Sequence, residues 1–349
     1  MEADVAIIGS GPSGSAASFF LSKSGLKVVC IERLTGDRYR RYHSLCGECI
    51  SRKGIRTVGI RDNEIRNRID SIYIDWAGRR TLRIGIKGYI IDRNMVLDRL
   101  RTEAHQNGAM FVNGSVLRII RNGERYIIRL HGGSEIVSKY IIGADGAFSV
   151  VRRDLFGTKP KMNIPAETFI VPRVEGTDDH SIRFSLGSGN GSAYSWTFPS
   201  GDGSNIGCSP KVLEVSEYSL KGTRYIPIGG LEHIVNGNAA LIGDAGAMVN
   251  PLTFGGLRIA LDSAAKMSEC LVKGDLARYE RWWKKSRRSD PRFMQLREDF
   301  TYCSDSQIDE FSKHMNRDGL YLNGFISILR HPKRAWRYFG CLFAIRLGW

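Results

Sequence analysis

Three short apolar runs, each followed by a glycine-containing turn, recur in the pattern of hydrophobic and polar positions along the chain. They are Val5–Ile8, Tyr140–Ile142 and Ala240–Ile242, and none contains a charged residue. Such runs are typical of parallel strands that are buried on both faces. A predicted helix from about Ser13 to Ser24 and a second apolar strand, Val28–Ile31, follow the first run. The pattern predicts an α/β fold with a parallel sheet at its core.

The middle of the chain has a different pattern, in which apolar and polar side chains alternate. A period of two predicts strands of a sheet with one face toward the core and the other toward solvent. The segments that show it are Ser71–Asp75, Thr81–Ile86, Phe169–Val174, Ser181–Phe184 and Asn205–Cys208. We therefore expect an inserted antiparallel sheet, which makes the architecture α+β overall.

The first apolar run leads directly into a glycine-rich turn, Gly9-Ser10-Gly11-Pro12-Ser13-Gly14. Gly9 permits a tight turn, Gly11 lets the backbone approach a pyrophosphate, and Gly14 lets the helix pack closely on the strand. The helix start adds unpaired N–H groups and a positive dipole end. Glu32 ends the second strand, where a carboxylate accepts hydrogen bonds from ribose hydroxyls. The unit predicts a Rossmann-type dinucleotide site with candidate contacts from Gly9, Gly11, Pro12, Ser13, Gly14, Glu32 and Arg33.

Two later segments repeat the order of buried strand, glycine turn and carboxylate. They are Gly143-Ala144-Asp145-Gly146 and Gly243-Asp244-Ala245-Gly246, and the second continues to Pro251 and Gly255-Gly256. Together with the first turn they resemble the flavoprotein superfamily of aromatic hydroxylases, over roughly residues 1 to 285. The resemblance implies that FAD is the cofactor and that Asp244 contacts its ribityl-pyrophosphate part.

The same resemblance implies further FAD contacts from Asp145, Gly146, Gly243, Gly255, Gly256 and Leu257. The loop that begins at Pro251 is expected to approach the flavin ring through its backbone. This chain has Phe254-Gly255-Gly256 where many relatives have Gly-x-Gly, which leaves the loop geometry open.

An aromatic segment makes the resemblance more specific, because it matches one group of proteins within that superfamily. Tyr194-Ser195-Trp196-Thr197-Phe198-Pro199 resembles the Tyr-x-Trp-x-Phe-Pro segment of geranylgeranyl reductases, which saturate double bonds of isoprenoid chains. Alternation places the three rings on one face of a strand, a surface suited to a long apolar chain. Alternatively, the rings form only the core face of a sheet. The resemblance implies that Tyr194, Trp196, Phe198, Pro199 and Pro251 bind a long-chain isoprenoid substrate.

Cys46-Gly47 is a second segment that resembles the same reductases. In the same reductases a Cys-Gly pair lies near the isoalloxazine ring and an arginine at the start of the next helix faces the flavin, and Cys46-Gly47 and Arg93 match these positions. The resemblance implies catalytic roles for Cys46 and Gly47, with Cys46 or a bound water as the proton donor. Cys46 and Cys49 also form a Cys-x-x-Cys pair, which at a helix start would have lowered thiol pKa values. A flavin-linked dithiol oxidoreductase therefore stays open, whereas zinc is not expected because no second Cys or His pair has a matching spacing.

The expected active site lies between two domains. The FAD-binding domain is predicted to be discontinuous, with residues 1–70, 88–160 and 228–285, and the substrate-binding sheet domain takes residues 71–87 and 161–227. There reduced flavin N5 is expected to give a hydride to an isolated C=C bond. A flavin monooxygenase or halogenase, and an electron-transfer oxidoreductase, are alternatives. The Trp-x-Trp-x-Ile-Pro segment usual in halogenases and a cysteine cluster for an iron–sulfur centre are both absent from the sequence.

Composition adds constraints mainly through charge. The 349 residues are 42% hydrophobic and 25% charged, which suits two globular domains and excludes disordered or collagen-like chains. The net charge of +15 favours anionic partners, but nucleic acid is not expected because no recognition motif accompanies the charge. Seven cysteines at irregular spacings do not indicate a secreted disulfide framework.

The C-terminal region, residues 286–349, is predicted to be helical and basic. Between Arg330 and Trp349 five basic residues and no acidic one accompany several aromatic rings, which suits either an anionic membrane surface or a cover over the substrate tunnel. No stretch reaches the roughly 18 to 20 apolar residues of a transmembrane helix, and the first strand leaves no room for a signal peptide. We expect a cytoplasmic protein, free or peripheral on the membrane. The prenyl substrate, the external electron donor (NAD(P)H or ferredoxin) and the oligomeric state stay open.

Overall fold

The computed structural model describes residues 1–76, 80–190, 194–301 and 304–306. The strands in this part of the chain are β1 (Glu2–Ile8), β2 (Val28–Glu32), β3 (Cys49–Ser51), β4 (Ile65–Trp76), β5 (Arg80–Ile91), β6 (Met110–Asn113), β7 (Val116–Asn122), β8 (Arg125–Leu130), β9 (Glu135–Gly143), β10 (Met162–Pro172), β11 (Ser181–Leu186), β12 (Ser195–Ser200), β13 (Gly203–Cys208), β14 (Leu220–Ile228), β15 (Val235–Asn236) and β16 (Ala239–Leu241). The α-helices are α1 (Pro12–Leu21), α2 (Gly36–Ser44), α3 (Arg93–Gln106), α4 (Leu257–Val272), α5 (Leu276–Lys284) and α6 (Arg292–Thr301).

The first sheet has the strand order β15-β16-β9-β1-β2-β6, and β7 and β8 extend it from β9. Strand β1 runs parallel to both β2 and β9, and β16 runs parallel to β9. The side chains of Val5, Ala6 and Ile7 are fully buried, because helices cover this sheet. Ile8 and Leu241 are both register partners of Gly143. The three apolar runs therefore end at one edge, and the predicted α/β core is confirmed.

The second sheet has the order β14-β10-β13-β12-β11-β4-β5-β3. It is antiparallel except for β11 and β4, which pair in parallel. Four of the five alternating segments lie wholly in its strands, and Phe169–Val174 extends two residues beyond the end of β10 at Pro172, so the inserted sheet is confirmed. Strand β4 continues through the domain boundary expected at residue 70, and β5 continues through the one at residue 87. The division into domains at those residues stays a prediction.

The helices position the turns that follow the first sheet. Helix α1 ends at Leu21 and continues as a 3₁₀ turn to Ser24, so the predicted helical span includes a tighter last turn. The Asp92 side chain caps α3 by accepting a hydrogen bond from the Met95 N–H at 3.0 Å, which fixes Arg93 as the first residue of the helix.

Helices α5 and α6 account for the described part of the C-terminal portion. The prediction for Arg330–Trp349 lies outside the described residues. Within the part that the structure describes, no helix has the length and apolar character needed to cross a bilayer.

Candidate active site

The three glycine segments lie in direct contact with one another. A Cβ atom at Gly9, where φ is +93°, would lie 2.6 Å from the Ala144 carbonyl oxygen, and one at Gly14 would lie 1.9 Å from the Gly9 carbonyl oxygen. A Cβ atom at Gly243 would lie 2.9 Å from Ser13 Oγ. At Gly9 and Gly14 another backbone segment lies too close for a side chain, and at Gly243 the Ser13 side chain and a φ of +56° disfavour one, so glycine suits all three positions.

The N-terminus of α1 lies where the three glycine segments meet, and no side chain caps it. Gly11 is the N-cap residue, no side chain accepts from the first turn, and Pro12 follows as the first helical residue. The free N–H groups and the positive end of the helix dipole form a site for an anion.

Glu32 lies beside the first glycine turn and stabilises it through hydrogen bonds. Its carboxylate accepts hydrogen bonds from the Ser10 N–H at 2.7 Å and the Leu34 N–H at 2.9 Å. The Arg33 side chain is exposed. The proposed contacts of Glu32 and Arg33 with a cofactor stay predictions.

Two buried carboxyl groups, Asp145 and Asp244, follow the second and third turns. Asp145 Oδ2 accepts from the Val150 N–H at 2.6 Å, and burial raises the pKa of this carboxyl. Burial also raises the pKa of Asp244, although the positive charges of Arg224, Arg93 and Arg152 oppose that rise. Asp244 thus sits in a cationic surrounding supplied by three separate segments of the chain.

Arg93 is buried, with 3% of its surface exposed, and its guanidinium is not satisfied by the protein. Its Nε and Nη2 atoms have no hydrogen-bond partner among the described residues. The same is true of His43 Nδ1 and Asp145 Oδ1. Buried polar atoms without partners indicate a polar ligand or ordered water. These donors and acceptors accompany the uncapped N-terminus of α1 and the closely packed glycines Gly9, Gly14 and Gly243, which form the glycine cradle. Together they fit FAD, which offers phosphate oxygens, hydroxyls and ring nitrogens.

The Cys46-Gly47 segment lies against the second sheet. A Cβ atom at Gly47 would lie 2.3 Å from two carbons of the Phe198 ring. The Asn205 amide donates to the Cys46 carbonyl at 2.9 Å, and its oxygen accepts from Trp196 Nε1 at 2.9 Å. The loop and the aromatic segment, predicted separately, therefore form one structure, and Asn205 joins them.

The aromatic side chains line the inner face of this sheet. Phe184 packs edge-on against Tyr194, with ring centroids 5.0 Å apart, and against Phe198, at 5.3 Å. Tyr194 stacks on Phe254 at 5.4 Å, and its hydroxyl donates to the Thr253 carbonyl. The three predicted rings share one face, as expected, and the sequence pattern missed Phe184 and Phe254. Pro199 and Pro251 are buried near the ends of these two segments.

The loop from Pro251 to Gly256 has a glycine-like backbone at a residue that is not glycine. Phe254 has φ +52°, a conformation that bulky residues rarely adopt. Phe254 thus combines a left-handed backbone with a large aromatic ring. The Arg297 guanidinium lies 4.7 Å from the centroid of that ring. Leu257 then begins α4.

Two further residues of the site were missed by the sequence analysis. Arg224 lies on β14, and its guanidinium is 4.5 Å from the centroid of the Tyr42 ring. His43 is 3% exposed, and burial together with the charges of Arg93 and Arg224 holds its pKa well below the usual value. Neither belongs to a motif. The one sequence signal for Arg224 is its spacing of two from Gly222, which places both residues on the same, inward face of β14.

The Cys-x-x-Cys pair differs from the arrangement that dithiol chemistry requires. Cys46 follows the C-terminal end of α2, not a helix start, and Cys49 opens β3. Both thiols are free. Burial and the neighbouring Cys46 raise the pKa of Cys49, whereas exchange needs a lowered pKa. Among the residues described, no group of three or more His, Cys, Asp or Glu is arranged to hold a metal ion.

Comparison with known proteins gives consistent results. Residues 2–170 match the sequence profile of the FAD binding domain. A digeranylgeranylglycerophospholipid reductase from Methanococcus vannielii is 28% identical over 327 residues, covering 80% of this chain and 82% of the relative. One from Methanocaldococcus jannaschii is 26% identical, covering 96% of this chain and 97% of the relative.

A solved structure extends the similarity to the fold. A geranylgeranyl bacteriochlorophyll reductase-like protein from Thermoplasma acidophilum superposes with a TM-score of 0.79, covering 96% of each chain at 21% identity. At that identity the likeness concerns the fold, which is thereby confirmed for the part of the chain that the structure describes.

Proposed function

We propose that this chain, which belongs to the FAD-dependent oxidoreductase superfamily and carries an FAD binding domain over residues 2–170, saturates C=C bonds of geranylgeranyl or polyprenyl chains. The observation that carries the proposal is the contact between Gly47 and the Phe198 ring. It joins the cofactor side of the molecule to an aromatic face that suits an apolar chain. The names of the relatives, digeranylgeranylglycerophospholipid reductase among them, support the same substrate class.

The residues of the glycine cradle would hold FAD, with the pyrophosphate at the start of α1 and Arg93 and Asp244 nearby. Reduced FAD supplies a hydride at N5. The protein's contribution is to position the alkene and exclude water, because an isolated C=C bond develops no oxyanion that hydrogen bonds would stabilise. Phe184, Tyr194, Trp196 and Phe198 would align the chain, and Phe254 would close one end of the aromatic face.

Cys46 is the proposed proton donor to the second carbon of the double bond. Its sulfur accepts a hydrogen bond from the Glu48 N–H at 3.4 Å, so the thiol proton is not used in that bond. The backbone at Cys46 is held by Asn205. A Cys46→Ala variant with unchanged anaerobic prenyl reduction would transfer the role to a bound water.

The test is anaerobic turnover with a panel of prenyl compounds. Dithionite-reduced protein is incubated with geranylgeranyl diphosphate, a digeranylgeranylglycerophospholipid and a menaquinone, and product masses are read. The proposal predicts gains in steps of two hydrogens for at least one compound. Substrate-dependent oxygen uptake with a hydroxylated product would instead identify a monooxygenase, and an unchanged mass for all compounds would reject prenyl reduction.

We also propose an external electron donor, NAD(P)H or a ferredoxin. In the described ranges, the glycine-rich unit with a strand–turn–helix context is the one at Gly9–Gly14, which the proposal gives to FAD. Anaerobic bleaching of bound flavin by NADH, NADPH or reduced ferredoxin identifies the donor.

Association with an anionic membrane surface is proposed from the charge of +15 and from the lipid nature of the substrate class. Co-sedimentation with vesicles of anionic and of neutral lipids tests it. Equal binding to both compositions, or none, would contradict it.

A further inference from the structure

Glu48 is a buried carboxyl group that the proposed reaction does not use. It is 5% exposed and follows Gly47 directly, at the junction between the cofactor side and the aromatic face. Its backbone has φ +55°, which is uncommon for a residue with a long side chain. Residues held in such conformations cluster at functional sites, because the surrounding structure must maintain them.

The surroundings of Glu48 hold that conformation from two sides. The Glu48 N–H donates to Cys46 Sγ at 3.4 Å, and its carbonyl accepts from the Ile91 N–H at 3.2 Å. Gly47, on the preceding side, is fixed by the Phe198 ring. The Glu48 side chain therefore has a defined direction.

That direction leads to Arg93. Glu48 Oε1 lies 4.0 Å from Arg93 Nε, and Oε2 lies 3.4 Å from Arg66 Nη1. Arg66 also pairs with Asp92 at 2.7 Å. The charged groups that face Glu48 are thus Arg66 on β4 and Asp92 and Arg93 at the start of α3, and the titratable thiol beside it is that of Cys46 on its own loop. Arg66 is partly exposed, so this cluster connects the buried site with solvent.

The Arg93 guanidinium keeps donors that no hydrogen bond to a described residue uses, one of them the Nε atom that faces Glu48 at 4.0 Å and the other Nη2. Its charge acts on Asp244 and His43. A charge next to Arg93 therefore acts on the groups that would surround the cofactor, since Arg93 is 3% exposed and a buried charge is screened less than one at the surface.

The geometry points to Glu48 as a positioning residue that sets the net positive charge at Arg93 and thereby the reduction potential of bound flavin. When Glu48 is ionised it offsets the guanidinium and disfavours the extra negative charge of reduced flavin. When it is protonated, Arg93 acts with its full charge. Burial raises the pKa of Glu48 to about 7, against the lowering effects of Arg93 and Arg66, so the change falls in an accessible pH range. The inference rests on the proposed function only in assuming that the protein binds FAD.

The experiment measures the midpoint potential of bound FAD between pH 5.5 and 8.5, in wild type and in E48Q, with no prenyl compound present. Gln mimics the protonated carboxyl, so E48Q is expected to match wild type at pH 5.5 and to lie at a more positive potential at pH 8.5. E64Q is the matched control, because Glu64 is 2% exposed and pairs with Arg99 at 2.6 Å but does not contact Arg93. It should follow the wild-type curve throughout.

A constant offset between E48Q and wild type, or identical curves, would overturn the inference. If E48Q does not retain FAD, R66Q provides the second measurement. Removing the Arg66 charge should move the break in the potential–pH curve to higher pH, and an unmoved break would be equally decisive against it. Because no prenyl substrate takes part, a failure of prenyl reduction leaves this result intact and is recognised separately.

Discussion

The glycine cradle differs in construction from the aromatic junction, which is formed by Phe184, Trp196, Phe198, Asn205 and the Cys46-Gly47 loop. In the cradle, backbone contacts backbone: a side chain at Gly14 would come within 1.9 Å of the Gly9 carbonyl oxygen. In the junction, side chains from β11, β12 and β13 contact one another and the backbone of the Cys46-Gly47 loop, with Asn205 and Phe198 at the centre. The cradle depends on missing side chains, whereas the junction depends on particular side chains together with the missing one at Gly47.

Because of this difference, we expect the cradle to determine cofactor binding and the junction to determine which substrate is bound. A cradle of backbone groups recognises phosphates and sugars, which many flavoproteins share. A junction of rings recognises the shape of an apolar chain, and changes in it alter what is bound without disturbing the cofactor. Substitutions in the cradle should therefore reduce FAD binding, whereas substitutions in the junction should reduce activity on the prenyl substrate.

The largest expected effect is that of Gly14→Ala in the cradle. Glycine to alanine inside a helix ordinarily stabilises by about 0.5–1 kcal/mol, but here the added Cβ would overlap the Gly9 carbonyl oxygen. Forced overpacking typically costs about 1–3 kcal/mol, and occasionally more. We expect loss of FAD binding, measured by flavin fluorescence after gel filtration, and a lower free energy of unfolding.

Gly85→Ala is the matched control for that substitution. A Cβ atom at Gly85 would meet nothing within 4 Å, so FAD content and stability should stay near wild type. Full FAD content in Gly14→Ala would contradict the close approach in the cradle.

Gly47→Ala is expected to act on the junction instead. The methyl group would overlap the Phe198 ring and displace it or the loop. Because a shift of about 1 Å near reacting atoms costs on the order of 100-fold in rate, prenyl reduction should fall by roughly that factor while FAD content is kept.

A double-mutant cycle sharpens this second prediction. Phe198→Leu makes room for the methyl group, so Gly47→Ala with Phe198→Leu should lose less activity than the two single effects combined, with a coupling of about 0.5–3 kcal/mol. Strict additivity would mean that Gly47 and Phe198 do not interact in the working protein.

Asn205→Ala should have a smaller effect, mainly on stability. Asn205 is 2% exposed, and its removal leaves the Trp196 N–H and the Cys46 carbonyl without their partner, at about 1–3 kcal/mol for an unsatisfied buried group. Chemical denaturation should show a loss of about 2 kcal/mol with FAD still bound. The control is Asn236→Ala, whose side chain is exposed and donates to Leu155. Equal losses in both variants would remove the special role of Asn205.

Phe254→Gly is expected to change stability least. Relief of the left-handed backbone at φ +52° is worth about 1 kcal/mol or more, which offsets the lost stacking on Tyr194. The free energy of unfolding should stay within about 1 kcal/mol of wild type, while product analysis shows a wider range of prenyl compounds accepted. A large loss of stability would indicate that stacking outweighs strain.

The sequence predicts the cradle far better than the junction, and the reason is physical. Gly9, Gly14 and Asp145 act next to the strand that presents them, so local order along the chain reports their place. Asn205 and Arg224 act through their places on β13 and β14, and His43 through its place on α2. Asn205 contacts Cys46, and Arg224 contacts Tyr42, across more than a hundred positions of sequence, and no local pattern encodes such contacts.

Phe198 and Cys46 lie between these extremes. Their segments were predicted individually, and the alternation of rings was enough to assign them to one face. That the loop and the ring lie against each other required the fold, because Gly47 is 151 positions from Phe198 in the sequence. The Cys46–Cys49 pair follows a helix end, so the condition under which dithiol chemistry was considered, a position at a helix start, is not met.

The most direct test of the account is photolabelling with a geranylgeranyl diphosphate that carries a diazirine on its chain, followed by peptide mass analysis of the FAD-loaded protein. We expect label on the peptides that contain Tyr194–Phe198 and Leu45–Cys49, and we expect unlabelled prenyl compound to reduce it. Label confined to other peptides, or label here that competitor does not reduce, would contradict a prenyl chain lying between the aromatic face and the Cys46 loop.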